Sequence, residues 1–225
     1  MKHLTIATRN RHKTAEIAAM LGPEWIVEDL TRRPELPEPE ENGSTFEENA
    51  AIKALAASAV MPGPVLADDS GLEVDLLGGA PGIRSARYAG EKATDQENRD
   101  RLLSDLASRE HIAEQPVTAR FRCAISIAKG GKILGAFSGS VEGRIVLAAA
   151  GTGGFGYDPL FIPDGYGETF AEMDAATKNG LSHRARALAQ AMKWLAGEPA
   201  TDPATQPHGA KSESGPIQPR PRSTR

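Results

Sequence analysis

Residues 65–75 read VLADDSGLEVD, and this stretch places two adjacent acids directly after an apolar run. The run 65–67 predicts a short buried strand, and the alternation over 72–75 predicts a second one. Asp68 and Asp69 would then lie where the first strand ends, which is where ligand sites collect in α/β proteins. Neighbouring residues of an extended chain point in opposite directions, so we expect one acid to face a given site. A turn at 68–71 is the alternative interpretation.

A helix is expected just before this stretch. Thr45 and Glu48 have the spacing of a capping box, with the helix running from there to about Val60. Asn49 and Lys53 are four residues apart and so share one of its faces.

A loop with two acids precedes that helix. Residues 32–43 are rich in Pro, Glu and Arg and are expected to form a loop. Mg²⁺ takes hard oxygen ligands, usually one or two carboxylates together with substrate phosphate. Glu40 or Glu41 could supply a second carboxylate beside the Asp68-Asp69 pair.

The chain opens with a strand, a polar loop and a helix. Residues 3–7 predict a buried strand, and residues 13–21 predict a helix whose apolar positions share one face. The polar loop 8–12 joins them. This order places backbone N–H groups and Lys13 at a helix N-terminus, where anions are stabilised.

The second half of the chain adds strands and two helices. Residues 117–128 and 132–146 predict a hairpin around Gly130-Gly131, and residues 160–162 could form a further strand. Helices are expected over 95–106 and after Ser182, the latter burying Leu188, Ala191, Met192 and Leu195. Interleaved helices and strands predict an α/β fold with a mixed sheet.

Composition bounds the class of protein. The formal charge of −4 on 225 residues gives no broad electrostatic reason to expect nucleic-acid binding. No apolar stretch is long enough for a signal peptide or a membrane span, so we expect a cytoplasmic protein. The single cysteine, Cys123, is interpreted as a buried packing residue. Residues 198–225 hold six of the sixteen prolines and are expected to form a disordered tail, leaving 1–197 as the folded domain.

The glycine-rich loop 151–156 fits the pattern G-x-G-x-x-G. A dinucleotide-binding fold would need a helix directly after it, and Pro159 and Pro163 exclude one. No Gly-Lys-Ser/Thr follows, so the loop is not a P-loop either. It could instead present Phe155 and Tyr157 for stacking on a base, beside Asp158 as an acceptor. A packed turn is the structural alternative.

A basic pair begins the last helix. Ser182 is the expected N-cap, which puts His183 and Arg184 in the first turn. Their N–H donors could reach a carbonyl oxygen on a base, although residues at such positions are often simply surface residues.

Taken together, these segments resemble the inosine/xanthosine triphosphate pyrophosphatases, which remove non-canonical purine nucleotides. Six stretches carry the resemblance in the family's order and span residues 1–197. They are 8–13, 45–50 with Lys53, 67–72, 78–82 with 85–88, 151–159 and 182–184.

The resemblance implies a two-lobed α/β fold with a mixed twisted sheet, flanking helices and a central cleft, usually in a homodimer. It implies Mg²⁺-dependent hydrolysis of ITP, dITP and XTP to the monophosphate and pyrophosphate. Asp69 would be the catalytic proton acceptor and a metal ligand, and Glu41 a second metal ligand. The implied phosphate-binding residues are Thr8, Arg9, Asn10, Arg11, His12, Lys13, Lys53 and Ser70. The implied base- and sugar-binding residues are Phe155, Gly156, Tyr157, Asp158, Lys178, His183 and Arg184.

Two positions depart from the family pattern. Arg9 stands where a glycine is common, and the stretch Ala176-Thr177-Lys178 replaces a more acidic one. Two other functions stay open at this point: a related pyrophosphatase for modified pyrimidine nucleotides, and a non-catalytic nucleotide-binding module.

Overall fold

One six-stranded mixed sheet organises the protein in a computed structural model that describes residues 1–109 and 115–197. The strand order is β2-β1-β3-β4-β5-β6. Strand β1 runs parallel to β2 and β3, and the pairs β3–β4, β4–β5 and β5–β6 are antiparallel. The strands are β1 (Lys2–Ile6), β2 (Trp25–Asp29), β3 (Val65–Val74), β4 (Val117–Lys129), β5 (Lys132–Ile145) and β6 (Phe161–Pro163). The helices are α1 (Arg11–Leu21), α2 (Phe46–Ser58), α3 (Asp95–Ala107), α4 (Ala175–Leu181) and α5 (His183–Leu195).

The predicted α/β fold with a mixed sheet is confirmed, and its core has two main parts. One hydrophobic cluster gathers around Leu72 and Phe121 at one end of the long strands β3, β4 and β5. A second gathers around Leu66 and Ile125 at the other end, under α1 and α5. Each cluster forms a lobe, and the acids of β3 lie between them. The predicted disordered tail at 198–225 lies outside the described residues.

The acidic pair lies inside β3 rather than at its end. β3 continues unbroken through this region, with Asp68 opposite Ile125 and Asp69 opposite Ala124 on β4. The predicted break and the alternative turn at 68–71 are therefore both wrong. Gly71 is paired within the strand, opposite Arg122. The position requires a glycine because an added Cβ would overlap Ser85 Oγ and lie 2.5 Å from the carbonyl oxygen of Gly82. The glycine allows close packing instead of a turn.

The two helix starts nearest the site differ from the prediction in detail. Helix α1 begins at Arg11 because the Asn10 side chain accepts hydrogen bonds from the backbone N–H groups of the next turn. At α2 the Thr45 hydroxyl accepts from the Glu48 N–H at 3.1 Å, as expected. The Glu48 carboxylate, however, accepts from the N–H of Ser44 at 2.7 Å, so the capping box closes one residue earlier than predicted.

Most of the remaining elements follow the pattern, but β2 was not predicted and two helices differ from the pattern. The β4–β5 hairpin turns at Gly130 and Gly131, whose φ angles of 57° and 74° suit the tight turn. Helix α5 buries Leu188 and Ala191 as predicted, whereas Leu195 is 36% exposed. Helix α4 was not predicted, because seven residues with an internal glycine show no helical periodicity. Within the described ranges, no helix is both long and apolar enough to cross a membrane.

Candidate active site

A cavity of about 440 Å³ brings most of the predicted site residues together. It is lined by residues from both lobes: the loop before α1, the segment before α2, α2 itself, β3, the glycine-rich loop and the start of α5. The predicted residues that line it are Thr8, Arg9, Asn10, Lys13, Glu41, Lys53, Asp69, Ser70, Phe155, Gly156, Tyr157, His183 and Arg184. Arg11, His12, Asp158 and Lys178 do not line it, and the last two lie buried behind it.

Asp69 faces the cavity with one carboxylate oxygen bonded and the other without a partner. Its Oδ1 accepts from Lys53 Nζ at 2.7 Å, while its buried Oδ2 has no hydrogen-bond partner within the described residues. Lys53 Nζ also lies 3.5 Å from Glu41 Oε1, so a cation stands between the two carboxylates. Glu40 is exposed and does not line the cavity. The predicted alternative between the two glutamates therefore favours Glu41.

Asp68 points to the other side of the strand and is fully engaged. It is 1% exposed and ion-paired with Lys13 and with Arg184, whose Nε lies 3.0 Å from Oδ2. Ser70 Oγ donates to it at 3.1 Å, and Cys123 Sγ donates at 2.9 Å. The interpretation of Cys123 as a buried packing residue is confirmed, with this hydrogen bond in addition.

The two adjacent acids have pKa values shifted in opposite directions. Burial raises the pKa of Asp69, and the nearby Lys53 ammonium only partly offsets this. Burial alone would also raise the pKa of Asp68, but the Arg184 guanidinium and the Lys13 ammonium outweigh it and hold that pKa well below its ordinary value. The separate prediction that one acid of the pair faces the site agrees with the cavity lining, which includes Asp69 and not Asp68.

A buried chain of ion pairs links the cations of the site. Glu16 on α1 accepts from Lys178 Nζ at 2.6 Å and also pairs with the Arg184 guanidinium. Lys178 Nζ in turn lies 2.6 Å from Asp158 Oδ2. Sequence reasoning missed Glu16. Its position one turn after Lys13 was the available signal, but its partners are 162 and 168 residues away in sequence.

The loop before α1 divides its polar groups between the helix and the cavity. Asn10 Oδ1 accepts from the backbone N–H groups of His12 at 2.9 Å and Lys13 at 3.2 Å, so the cap already occupies two expected anion donors. Arg11 is exposed. Thr8, Arg9, Asn10 and Lys13 line the cavity, whereas Arg11 and His12 do not.

The glycine-rich loop is held by a helix that sequence reasoning did not connect to the site. Gly156 donates its N–H to Asp95 at 2.7 Å, and its carbonyl oxygen accepts from Arg99 at 2.6 Å. Both partners lie on α3, four residues apart, and this acid–base spacing was the only signal in the sequence. The Phe155 N–H bonds to Asp158 Oδ2 at 2.8 Å, which makes Asp158 a support of the loop.

Two rings that line the cavity, Phe155 and His183, each stack on another ring. Phe155 is stacked with the His12 ring at 5.3 Å between centroids. His183 is stacked on Phe121 at 4.8 Å and is 5% exposed, with its Nδ1 buried and lacking a partner among the described residues. Burial, reinforced by the Arg184 charge, holds the pKa of His183 well below 6.5, so the ring is neutral at pH 7.

The arrangement joins two kinds of binding surface around one available carboxylate. The ammonium groups of Lys13 and Lys53 suit a polyanion. Phe155, His183 and Arg184 add an aromatic ring and N–H donors, which suit a planar ring carrying acceptors. Asp69 lines the same cavity.

Comparison with known proteins identifies relatives in sequence and in structure. The chain is 47% identical over 197 residues to a dITP/XTP pyrophosphatase of Shouchella clausii, covering 88% of this chain and 98% of that one. It is 49% identical over 190 residues to a dITP/XTP pyrophosphatase of Geobacter sulfurreducens, covering 84% and 94%. The structure of a HAM1 protein from Coxiella burnetii superimposes with a TM-score of 0.76 at 38% identity, covering 88% and 100%. The Ham1 family model matches residues 4–194, and the chain belongs to the Ham1 family.

Proposed function

We propose that this protein is a nucleoside-triphosphate pyrophosphatase that hydrolyses ITP, dITP and XTP to the monophosphate and pyrophosphate, with Mg²⁺ as cofactor. The observation that carries the proposal is Asp69, which keeps one carboxylate oxygen without a partner among the described residues and lines the same cavity as Lys13, Lys53, His183 and Arg184. The printed names of the relatives from Shouchella clausii and Geobacter sulfurreducens support the same substrates.

Two lysines of the cavity wall supply binding for the phosphates. Lys13 and Lys53 carry two positive charges to the cavity wall, and both are already held in place by buried carboxylates. Burial lowers the pKa of Lys53, but Asp69 and Glu41 outweigh it and raise the pKa, so the ammonium is charged at pH 7. Thr8, Asn10 and Ser70 add neutral polar groups to the same wall. Such pre-positioned charge binds a triphosphate at small ordering cost.

The carboxylates of Asp69 and Glu41 fit a magnesium ion. Both bring hard oxygen ligands to one place, and Lys53 Nζ shows that a cation can stand between them. Across residues 1–109 and 115–197, no group of three or more His, Cys, Asp or Glu side chains is placed to hold a metal. A site of two carboxylates completed by substrate phosphate and water is the usual one for Mg²⁺. Bound there, the ion would supply Lewis-acid stabilisation of negative charge on phosphate oxygens.

The hydrolytic step assigns one task to each group of residues. The Asp69 carboxylate orients a water molecule and accepts its proton as the water oxygen bonds to the α-phosphorus. The bond from the α-phosphorus to the bridging oxygen of the β-phosphate breaks, and pyrophosphate leaves. Lys13 and Lys53 stabilise the charge that develops on the leaving group.

His183 and Arg184 account for preference among bases. Both line the cavity, and their N–H groups can donate to a 6-oxo group of a bound base. Adenine carries a 6-amino group, which would leave these buried donors unpaired, and a mismatch of this kind discriminates strongly. The Phe155 ring lines the same cavity.

Pyrophosphate release from ITP, XTP, ATP, GTP and dTTP, measured with Mg²⁺ and with EDTA, tests the proposal. We expect Mg²⁺-dependent release from ITP and XTP, and release from ATP at least about 100-fold slower in kcat/KM. A preference for dTTP would instead indicate a pyrimidine pyrophosphatase, and binding without release would indicate a non-catalytic module.

A catalytic variant tests the role of Asp69 directly. Asp69→Asn should lower kcat by at least about 100-fold, since it removes the proton acceptor and one carboxylate ligand. Asp164→Asn, an exposed acid outside the cavity, is the matched control and should keep full activity. Activity retained by a folded Asp69→Asn protein would remove Asp69 from its role.

On the family resemblance we also propose that the protein is a homodimer and acts in the cytoplasm. Light scattering coupled to size-exclusion chromatography should give twice the chain mass of 23.8 kDa. Fractionation of cells that express the protein should place it with soluble cytoplasmic markers. A monomeric mass at micromolar concentration would contradict the first part.

A further inference from the structure

The side chain of Arg9 reaches the loop that precedes α2. Its Nη1 donates to the carbonyl oxygen of Leu30 at 2.9 Å, and both terminal nitrogens reach the carbonyl oxygen of Arg33 at 3.3 and 3.4 Å. Nη2 also donates to the carbonyl oxygen of Leu36. Nε pairs with Glu38 at 2.9 Å. The nitrogens of the guanidinium therefore all bind the segment 30–38.

That segment has little else to hold its backbone. Residues 33–41 contain no helix or strand, and among the described residues their other backbone hydrogen bonds are short-range ones. These are Arg33 N–H to the carbonyl oxygen of Leu30, Leu36 N–H to that of Arg33 and Asn42 N–H to that of Glu40, all at 3.1 Å. The Leu36 side chain adds apolar packing beside Leu30. Leu30 N–H donates to the carbonyl oxygen of Thr8 at 3.0 Å, which ties the start of the segment to the β1–α1 connection. Beyond Leu30, the Arg9 side chain is the long-range polar tie to that connection among the described residues.

The loop ends at the site. Glu41 lies three residues after Glu38, lines the cavity and stands 3.5 Å from Lys53 Nζ. Whatever fixes 30–38 also limits where the Glu41 carboxylate can stand. A side chain must have several divergent N–H donors to bind the carbonyl oxygens of Leu30, Arg33 and Leu36 at once. The planar guanidinium of arginine has that geometry.

We propose that Arg9 is a positioning residue that clasps 30–38, here named the arginine clasp, so that the Glu41 carboxylate is held beside Asp69. The proposal rests on the proposed function for the metal-binding role of Glu41. It assigns Arg9 a task different from the phosphate contact that the family resemblance implies.

A lysine variant separates the two tasks. Arg9→Lys keeps the positive charge, so it would preserve a phosphate contact, but its ammonium cannot reach all three carbonyl oxygens at once. Arg9→Gln removes both. Arg33→Gln is the matched control, since it removes one charge from the same loop while its guanidinium only approaches the exposed Glu35 at 3.8 Å.

The first measurement needs no activity. Digestion of the folded proteins by a glutamate-specific protease reports access to Glu35, Glu38, Glu40 and Glu41. We expect the cleavage rate within the loop to rise at least about fivefold in Arg9→Gln and Arg9→Lys, because local opening becomes easier, and to stay unchanged in Arg33→Gln. Unchanged cleavage in both Arg9 variants would overturn the clasp.

The second measurement follows the consequence for the site. The Mg²⁺ concentration that gives half-maximal pyrophosphate release from ITP should rise about 10–100-fold in both Arg9 variants, the range typical when a group that orients a metal ligand is lost. KM for ITP at saturating Mg²⁺ should stay near wild type. A raised KM that Arg9→Lys restores, or easier cleavage with an unchanged Mg²⁺ requirement, would overturn the proposal. Absence of release by the wild type would refute the proposed function and leave the protease result to judge the clasp.

Discussion

Replacing Asp68 by asparagine removes the one buried charge on which the cations of the site converge. Asp68 is 1% exposed and accepts from Lys13, Ser70, Cys123 and Arg184. The asparagine amide has one acceptor oxygen, so its NH₂ group must face two of these donors. Arg184 would keep only Glu16 as a carboxylate partner, and Lys13 would keep none among the described residues.

The expected cost is large because the charges left behind are buried. Removing one partner of a buried ion pair typically costs about 3–5 kcal/mol. The free energy of unfolding of a domain of this size is about 5–15 kcal/mol, so Asp68→Asn should lose a large part of it. At roughly 2–4 °C per kcal/mol, the midpoint of thermal unfolding should fall by about 6–20 °C.

Urea denaturation followed by circular dichroism at pH 7.5, without Mg²⁺ or nucleotide, measures this cost independently of activity. Asp164→Asn makes the same chemical change at an exposed position and should stay within about 0.5 kcal/mol of wild type. An Asp68→Asn protein within about 1 kcal/mol of wild type would refute the reasoning. A double variant with Arg184→Met should be less destabilised than the sum of the two single variants, since the pair is lost together.

Three further predictions concern packing, ionisation and loop support. Gly71→Ala should cost about 1–3 kcal/mol in urea denaturation, because the new methyl group would overlap Ser85 Oγ, whereas Gly167→Ala, with open space around it, should be neutral. The buried His183 ring should give the ¹⁵N signals of a neutral imidazole at pH 6, because its pKa lies well below 6.5, and an imidazolium signal at pH 6 would contradict this. Since the pKa is lowered in the folded state, the stability that the neutral ring contributes is fully present above pH 6.5 and is lost as the pH falls below it. Arg99→Met should raise KM for ITP about tenfold with a smaller effect on kcat, because it frees the Gly156 carbonyl and loosens the loop, and an unchanged KM would exclude this support.

The fold was predictable where local patterns and tertiary packing agree. The β4–β5 hairpin followed from alternating residues on either side of Gly130-Gly131. The middle of β3 did not follow, because Asp68-Asp69-Ser70-Gly71 has the composition of a turn. Its extended form depends on pairing with β4 and on the close packing of Gly71 against Ser85, both of which join distant parts of the chain.

The candidate site was predictable as a set of segments but not as a network. Lys53 and Asp69 were placed together by the resemblance, and they lie 2.7 Å apart. Glu16 was not found, because an acid on an amphipathic helix reads as a surface residue until its partners are known. Those partners, Lys178 and Arg184, come from the other end of the chain. Ion pairs at such separations leave no local pattern in a single sequence.

Two adjacent acids are needed at this point because their tasks exclude each other. A carboxylate that anchors Lys13 and Arg184 has both oxygens occupied and a pKa held low, so it cannot accept a proton from water. A carboxylate that accepts the proton must keep an oxygen without a partner, as Asp69 does with Oδ2. Alternation along β3 resolves the conflict by sending the two side chains to opposite faces. Asp68 therefore fixes Lys13 and Arg184, and this leaves Asp69 available for the metal and the water of the proposed function.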